Sequence, residues 1–174
     1  MSEKSLKTES ILQNFNNNLW SYYLAIPKEL GHQFVEGKNR RVLCKINDHP
    51  PIHSALMPKG DEYTIYINTE LKQKLKIEEG EKVTLCLEKD TTEFGMLVPE
   101  SFEVLLGQDD EGRKYFHALT KGKQRSLIYI ITKVKNIDSQ LAKGLAIMHH
   151  LKEAEGNLDF KRLNVLIKQY NNMK

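Results

Sequence analysis

Cysteine and long apolar stretches are both scarce in this sequence. Its 174 residues include two cysteines, Cys44 and Cys86, and one pair does not make the disulfide framework that stabilises small secreted domains. No run of about 18 consecutive apolar residues occurs, so we expect no membrane insertion. Residues 1–18 are polar and lack the apolar core of a signal peptide. These absences predict a cytoplasmic protein.

Metal-binding and cofactor-binding patterns are also missing. His49 and His53 are four residues apart, but two prolines between them oppose a helix, and an extended chain separates them by about 13 Å, too far for two ligands of one ion. His149 and His150 are adjacent, so on a helix their side chains diverge by about 100°. Neither a phosphate-binding glycine loop nor a dinucleotide fingerprint is found. The sequence predicts no metal site and no cofactor.

No arrangement of side chains indicates catalysis. Cys44 has the parity of an inward strand position, which predicts a small buried hydrophobic residue, whereas Cys86 has the outward parity. A nucleophilic thiol needs a positioned histidine or a helix N-terminus beside it, and the sequence offers Cys86 neither. The adjacent carboxylates Asp109 and Asp110 are predicted to lie in a solvated turn. We predict no catalytic residues.

Positive charge is modest overall but concentrated in one stretch. The net charge is +3, and residues 113–135 contain seven basic residues and no acidic one. A solvated helix face produces this pattern, and so does an electrostatic footprint for nucleic acid.

The front of the chain contains alternating apolar residues and an internal repeat. Residues 26–30 match residues 67–71, and with the same offset Val42 falls on Val83. Each copy has the pattern of a strand, a helical turn, a tight turn and a second strand. Because neither copy can bury its own apolar face, the two are expected to close around a pseudo-twofold axis as a small β-barrel. A chance similarity between two β-rich halves is the alternative.

Beyond residue 90 the periodicity becomes that of helices. Pro99 marks a helix start, and Thr120, Asp138 and Asp159 have the residue type and position of N-caps for three later helices. The predicted fold class is α+β, in three parts: a flexible N-terminus at 1–18, a double-split β-barrel at 19–97, and an all-α C-terminal subdomain at 98–174.

Parts of the sequence resemble known families. Residues 71–83 resemble the helical turn, glycine-acidic turn and strand of swapped-hairpin transcription factors of the AbrB type. Residues from about 19 to about 156 resemble the domain of unknown function 1905 followed by a bacteriocin-protection segment. This resemblance rests on short motifs in order: Trp20, Ile26-Pro27, Arg40-Arg41-Val42, Pro58-x-Gly60-Asp61, Gly80-x-x-Val83, Val98-Pro99-Glu100, Phe116-x-x-Leu119 and Ile131-x-Lys133-x-Lys135.

The resemblance implies a bacterial protein with a double-split β-barrel, a small helical subdomain and a role in resisting antimicrobial peptides. It brings no catalytic residues. We therefore predict, first, a non-enzymatic binding or stress-protection protein, monomeric or homodimeric, whose ligand or protein partner is unknown. Its predicted groove lies between barrel and helices and is lined by Trp20, Tyr22, His53 and Met57.

Two other functions are consistent with the sequence. The AbrB-like signature and the basic stretch favour nucleic-acid binding through five side chains: Arg40, Arg41, Lys121, Lys123 and Arg125. An enzyme whose site is assembled from distant residues is the third hypothesis.

Overall fold

The chain consists of two compact units with separate cores. The computed structural model describes residues 4–15 and 22–173 and divides the chain into Met1–Gly95 and Met96–Lys174. We call these the β-unit and the helical unit. The first holds a curled antiparallel sheet and the second holds helices, so the predicted α+β class is confirmed.

The sheet of the β-unit has seven strands: β1 (Ser5–Asn14), β2 (Tyr22–Pro27), β3 (Arg41–Ile46), β4 (Ile52–Ala55), β5 (Met57–Lys59), β6 (Glu62–Ile67) and β7 (Lys82–Lys89). Their order is β4-β3-β7-β1-β2-β6-β5, and all pairs are antiparallel. The two end strands, β4 and β5, are separated in the chain by Leu56 alone. The sheet therefore curls until its two edges lie beside each other.

The strand register confirms the internal repeat. β2 pairs with β6 at Leu24 and Ile65, and β3 pairs with β7 at Lys45 and Cys86. Both pairs join residues that are equivalent under the repeat offset of 41 positions. Equivalent strands pair in this way only about a twofold axis. Each copy also contains a short helix between its strands, α1 (Lys28–Gly31) with a 3-10 turn (His32–Phe34) in the first, and α2 (Thr69–Leu75) in the second.

One face of the sheet forms the core of the β-unit. Alternate positions carry fully buried aliphatic side chains because the strand period is two. They include Leu24, Ile26, Val42, Ile65, Val83, Leu85 and Leu87. Cys44 is buried among them, and this burial, together with the nearby Cys86, raises the pKa of its thiol to about 12. Cys86 lies on the opposite face and is half-buried.

The N-terminal strand corrects an expectation. Residues 5–14 were expected to be flexible with the rest of 1–18, yet they form β1 at the centre of the sheet, hydrogen-bonded to β7 and β2. Its inward face holds Leu6 and Leu12 but also Ser10, whose hydroxyl donates to the carbonyl of Ala25 at 2.7 Å. This mixed pattern hides the strand from a search for apolar alternation. The repeat does indicate it, because β4 and β5 occupy the equivalent position in the second copy.

The helical unit contains α3 (Glu100–Gln108), α4 (Asp110–Ala118), α5 (Lys121–Thr132), α6 (Ile137–Glu153) and α7 (Phe160–Asn171). Thr120 and Asp159 accept hydrogen bonds from the first turns of α5 and α7, which confirms them as N-caps. The N-cap of α6 is Asn136 and not Asp138, because the Asn136 amide oxygen accepts from the backbone of Ser139.

Helix α4 also corrects the predicted turn at residues 109–110. Asp109 caps α4 by accepting from the backbone N–H of Gly112 at 2.8 Å, and its carboxylate binds Lys152 at 2.7 Å. The helices pack closely where side chains are small: a Cβ on Gly144 of α6 would lie 2.5 Å from Leu105 of α3. No helix in the described ranges is both long and apolar enough to cross a membrane.

Candidate functional sites

The structure places the predicted groove residues on different strands. Tyr22 lies on β2 against the core, with the Lys72 ammonium 5.3 Å from its ring centroid. His53 lies on β4, and Met57 lies on β5 opposite Thr64. No hydrogen bond, ion pair or ring contact joins these three side chains within the described residues. Trp20 lies outside the described residues, so its place in a groove stays a prediction.

His53 belongs to a polar network at the end of β7. Its Nδ1 lies 2.7 Å from Oδ2 of Asp90, whose side chain is fully buried. The other carboxylate oxygen accepts from the backbone and the hydroxyl of Thr92. Burial by itself would raise the pKa of the Asp90 carboxyl, but the hydrogen bonds from His53 and Thr92 outweigh it and lower that pKa. The His53–Asp90 pair therefore anchors the loop that follows the sheet.

Arg41 also holds this loop in place through hydrogen bonds. Its guanidinium donates to the carbonyl of Gly95 at 2.7 Å, and its own carbonyl accepts from the backbone of Asp90. Gly95 has a φ of +70°, and a Cβ there would lie 3.0 Å from the Arg41 side chain. Arg40, half-buried, immediately precedes β3. The predicted nucleic-acid contacts of the β-unit thus include one arginine that already holds a loop.

The remaining predicted nucleic-acid contacts lie on α5 in the helical unit. Lys121 and Lys123 are exposed in its first turn, and Arg125 is half-exposed one turn later. The basic stretch 113–135 covers α4, α5 and the loop after them rather than one helix face.

Helix α3 presents a surface that sequence reasoning missed. Its inward side buries Phe102 and Leu106. The outward side, which we call the α3 face, consists of Glu100, Glu103, Val104 and Gly107. Val104 is 47% exposed, and within the described residues neither glutamate forms an ion pair. The sequence feature that indicates this acidic surface is the stretch from residue 90 to 112, which has acidic residues and no basic one.

An open pocket of about 330 Å³ is lined by residues of α6 and α7 together with Asp109, the N-cap of α4. Glu153 binds the Arg162 guanidinium through both carboxylate oxygens, at 2.7 and 3.0 Å. Arg162 and His150 thereby lower the pKa of Glu153 from 4.5 to about 2. The Nδ1 of His149 lies 3.0 Å from the Tyr170 hydroxyl. These side chains pair with one another through hydrogen bonds and opposite charges. We therefore interpret them as contacts that hold α7 against α6 and not as a ligand site.

Comparison with protein families matches both units. Residues 9–87 match the domain of unknown function 1905, and residues 96–153 match the family described as bacteriocin-protection, YdeI or OmpD-associated. The two matched segments follow one another along the chain in this order. No curated protein and no solved structure matches it. The AbrB-type resemblance finds no support in these comparisons and stays a prediction.

The two matched domains correspond to the two units. The first match covers most of the sheet, and the second runs from just before α3 to the end of α6. The α3 face and the basic side chains of α5 both lie within the segment that matches the bacteriocin-protection family. Helix α7, with the ion pair that ties it to α6, lies beyond the matched segment.

Proposed function

We propose that this protein is a non-enzymatic, cytoplasmic binding protein that protects cells against bacteriocin-like peptides by capturing them on the α3 face. The observation that carries the proposal is the position of this acidic and apolar face inside the bacteriocin-protection domain. Membrane-active peptides of this kind are amphipathic and combine Lys or Arg on one side with apolar residues on the other. The α3 face offers carboxylates for the first and exposed aliphatic groups for the second.

The geometry of the α3 face fits a helical partner. Glu100, Val104 and Gly107 recur at spacings of four and three, so they form one stripe along the helix. Leu97, which is 78% exposed, precedes the helix and extends the apolar part. A Cβ on Gly107 would meet nothing within 4 Å, so no internal packing requires glycine there. A side chain of the partner can approach the backbone closely at this point.

Binding of a labelled amphipathic peptide made of Leu and Lys tests the proposed surface. We expect the Glu100→Gln, Glu103→Gln double variant to weaken binding about threefold or more, because each exposed ion pair contributes about 0.2–1 kcal/mol. The matched control is Glu29→Gln, Glu70→Gln, which makes the same charge change in the first turns of α1 and α2. Equal binding by both double variants would contradict the role of α3.

Mass spectrometry of the bound peptide tests the non-enzymatic part. We expect it to be recovered intact after prolonged incubation, and cleaved or modified peptide would show that the protein is an enzyme. Expression in a peptide-sensitive bacterium tests the protective role: the concentration that stops growth should rise with the wild-type chain. It should rise less with the α3 double variant at equal expression.

A further inference from the structure

We propose that the outward face of α5 binds single-stranded nucleic acid, with Tyr129 as a stacking surface for a base and the flanking basic side chains as phosphate contacts. This surface is separate from the α3 face and opposite to it in charge. The inference does not depend on the peptide-binding function.

Tyr129 occupies the centre of the exposed side of α5. Leu127, Ile128 and Ile131 bury the opposite side of the helix completely, whereas Tyr129 is 56% exposed. A tyrosine ring held outward in this way leaves part of its apolar area in contact with water. Every base has a π-face, so an exposed ring is the group on which an unpaired base stacks.

Basic side chains stand on both sides of this ring along the helix. Arg125 lies four residues before Tyr129 and Lys133 lies four residues after it, which places all three on one stripe about 6 Å apart. The Lys133 ammonium is 4.8 Å from the centroid of the Tyr129 ring. Lys121 continues the stripe one turn before Arg125. Cations alternate here with an aromatic ring, as they do in grooves that bind a single strand.

The charge of the surroundings favours a polyanion. No acidic residue occurs from residue 113 to 135, and the helical unit as a whole has thirteen basic against nine acidic residues. The β-unit, by contrast, contains thirteen basic and fourteen acidic residues. The positive charge of the protein is therefore concentrated in the unit that carries α5.

Gly122 is a second indication that a nucleic-acid strand can come close to the backbone of α5. It lies in the first turn of α5, where glycine weakens a helix relative to alanine. A Cβ at this position would meet nothing within 4 Å, so no packing in the described residues accounts for the glycine. A strand that follows the basic stripe can come close to the backbone there.

The test is fluorescence anisotropy of a labelled oligo(dT) strand and of a labelled DNA duplex, at about 50 and about 200 mM salt. We expect the full-length protein to bind the single strand more tightly than the duplex and to lose affinity as salt rises. Tyr129→Ala should weaken binding about 5- to 150-fold, the range measured for loss of one stacking partner, while Tyr129→Phe should stay within about twofold. Because Tyr129 is exposed, both variants should fold, which circular dichroism checks.

Charge variants complete the test. Arg125→Gln with Lys133→Gln should weaken binding and reduce the salt slope by about 1.4, because each phosphate contact to a single strand contributes about 0.7. The matched control is Lys161→Gln with Lys168→Gln, which removes the same charge from exposed positions of α7. Three outcomes would overturn the proposal: no binding at low salt, equal binding by Tyr129→Ala and Tyr129→Phe, or equal binding of single strand and duplex.

Discussion

At the scale of single residues, the buried carboxylate of Asp90 shows how a polar group can anchor the loop that follows a sheet. An ionised carboxylate without partners is expensive to bury, and here His53 and Thr92 supply the donors that compensate it. His53 looked like a surface or groove residue in the sequence. Its partner is 37 positions away, and no local pattern links the two.

Replacing His53 should reveal this structural role. His53→Leu removes a donor from buried Asp90 and should lower the free energy of unfolding by about 1–3 kcal/mol. His53→Asn keeps an N–H at about the distance of Nδ1 and should lose clearly less. Urea denaturation of the three proteins measures the difference. Equal losses for both variants would mean that the hydrogen bond to Asp90 contributes little.

At the scale of elements, the strands and helices were predicted where periodicity is strong and missed where it is mixed. The apolar alternation of β3, β6 and β7 is visible without a structure, as are the caps at Thr120 and Asp159. Strand β1 was missed because Ser10 interrupts its inward face. Helix α4 was missed because its first residues, Asp110 and Glu111, are acidic and resemble a turn, although acidic residues in a first turn favour a helix.

A pair of neighbouring substitutions tests the register of β1. Leu12 is fully buried, whereas Ile11 is 48% exposed on the other face. We expect Leu12→Ala to cost about 2–5 kcal/mol of stability. Ile11→Ala should change it by less than about 1 kcal/mol. Chemical denaturation distinguishes the two, and a flexible N-terminus would give small, equal effects.

At the scale of the whole molecule, carboxyl groups in both units link stability to pH. The pKa values of Asp90 in the β-unit and of Asp109 and Glu153 in the helical unit are all lower than usual. A group whose pKa is lower in the folded state stabilises the protein above its unfolded pKa. That contribution is lost as the pH falls through the folded value.

We therefore expect the free energy of unfolding to fall on acidification. For Glu153 the window runs from its ordinary pKa of 4.5 down to about 2. Urea midpoints measured across this range for the wild type and for Glu153→Gln should differ at neutral pH and converge at the acid end. The matched control Glu155→Gln changes an exposed carboxyl two residues away and should follow the wild type throughout.

The overall architecture was more predictable than the functional surfaces. The repeat and the helical periodicity gave the two-part organisation, because each depends on spacing along the chain. The α3 face and the Tyr129 stripe depend on which side of a helix is covered by its neighbours. The buried sides of α3 and α5 became known only with the packing of the helices.

The place of β1 in the sheet also has a consequence while the chain is being synthesised. Lys7 of β1 pairs with Cys86 of β7, so the central strand is translated about 80 residues before its principal neighbour exists. At about 5–20 residues per second, that interval is about 4–16 s. During this interval β1 cannot form its hydrogen bonds with β7, because β7 has not yet been translated. Until then the segment exposes few apolar groups, because only three of its ten side chains, Leu6, Ile11 and Leu12, are aliphatic.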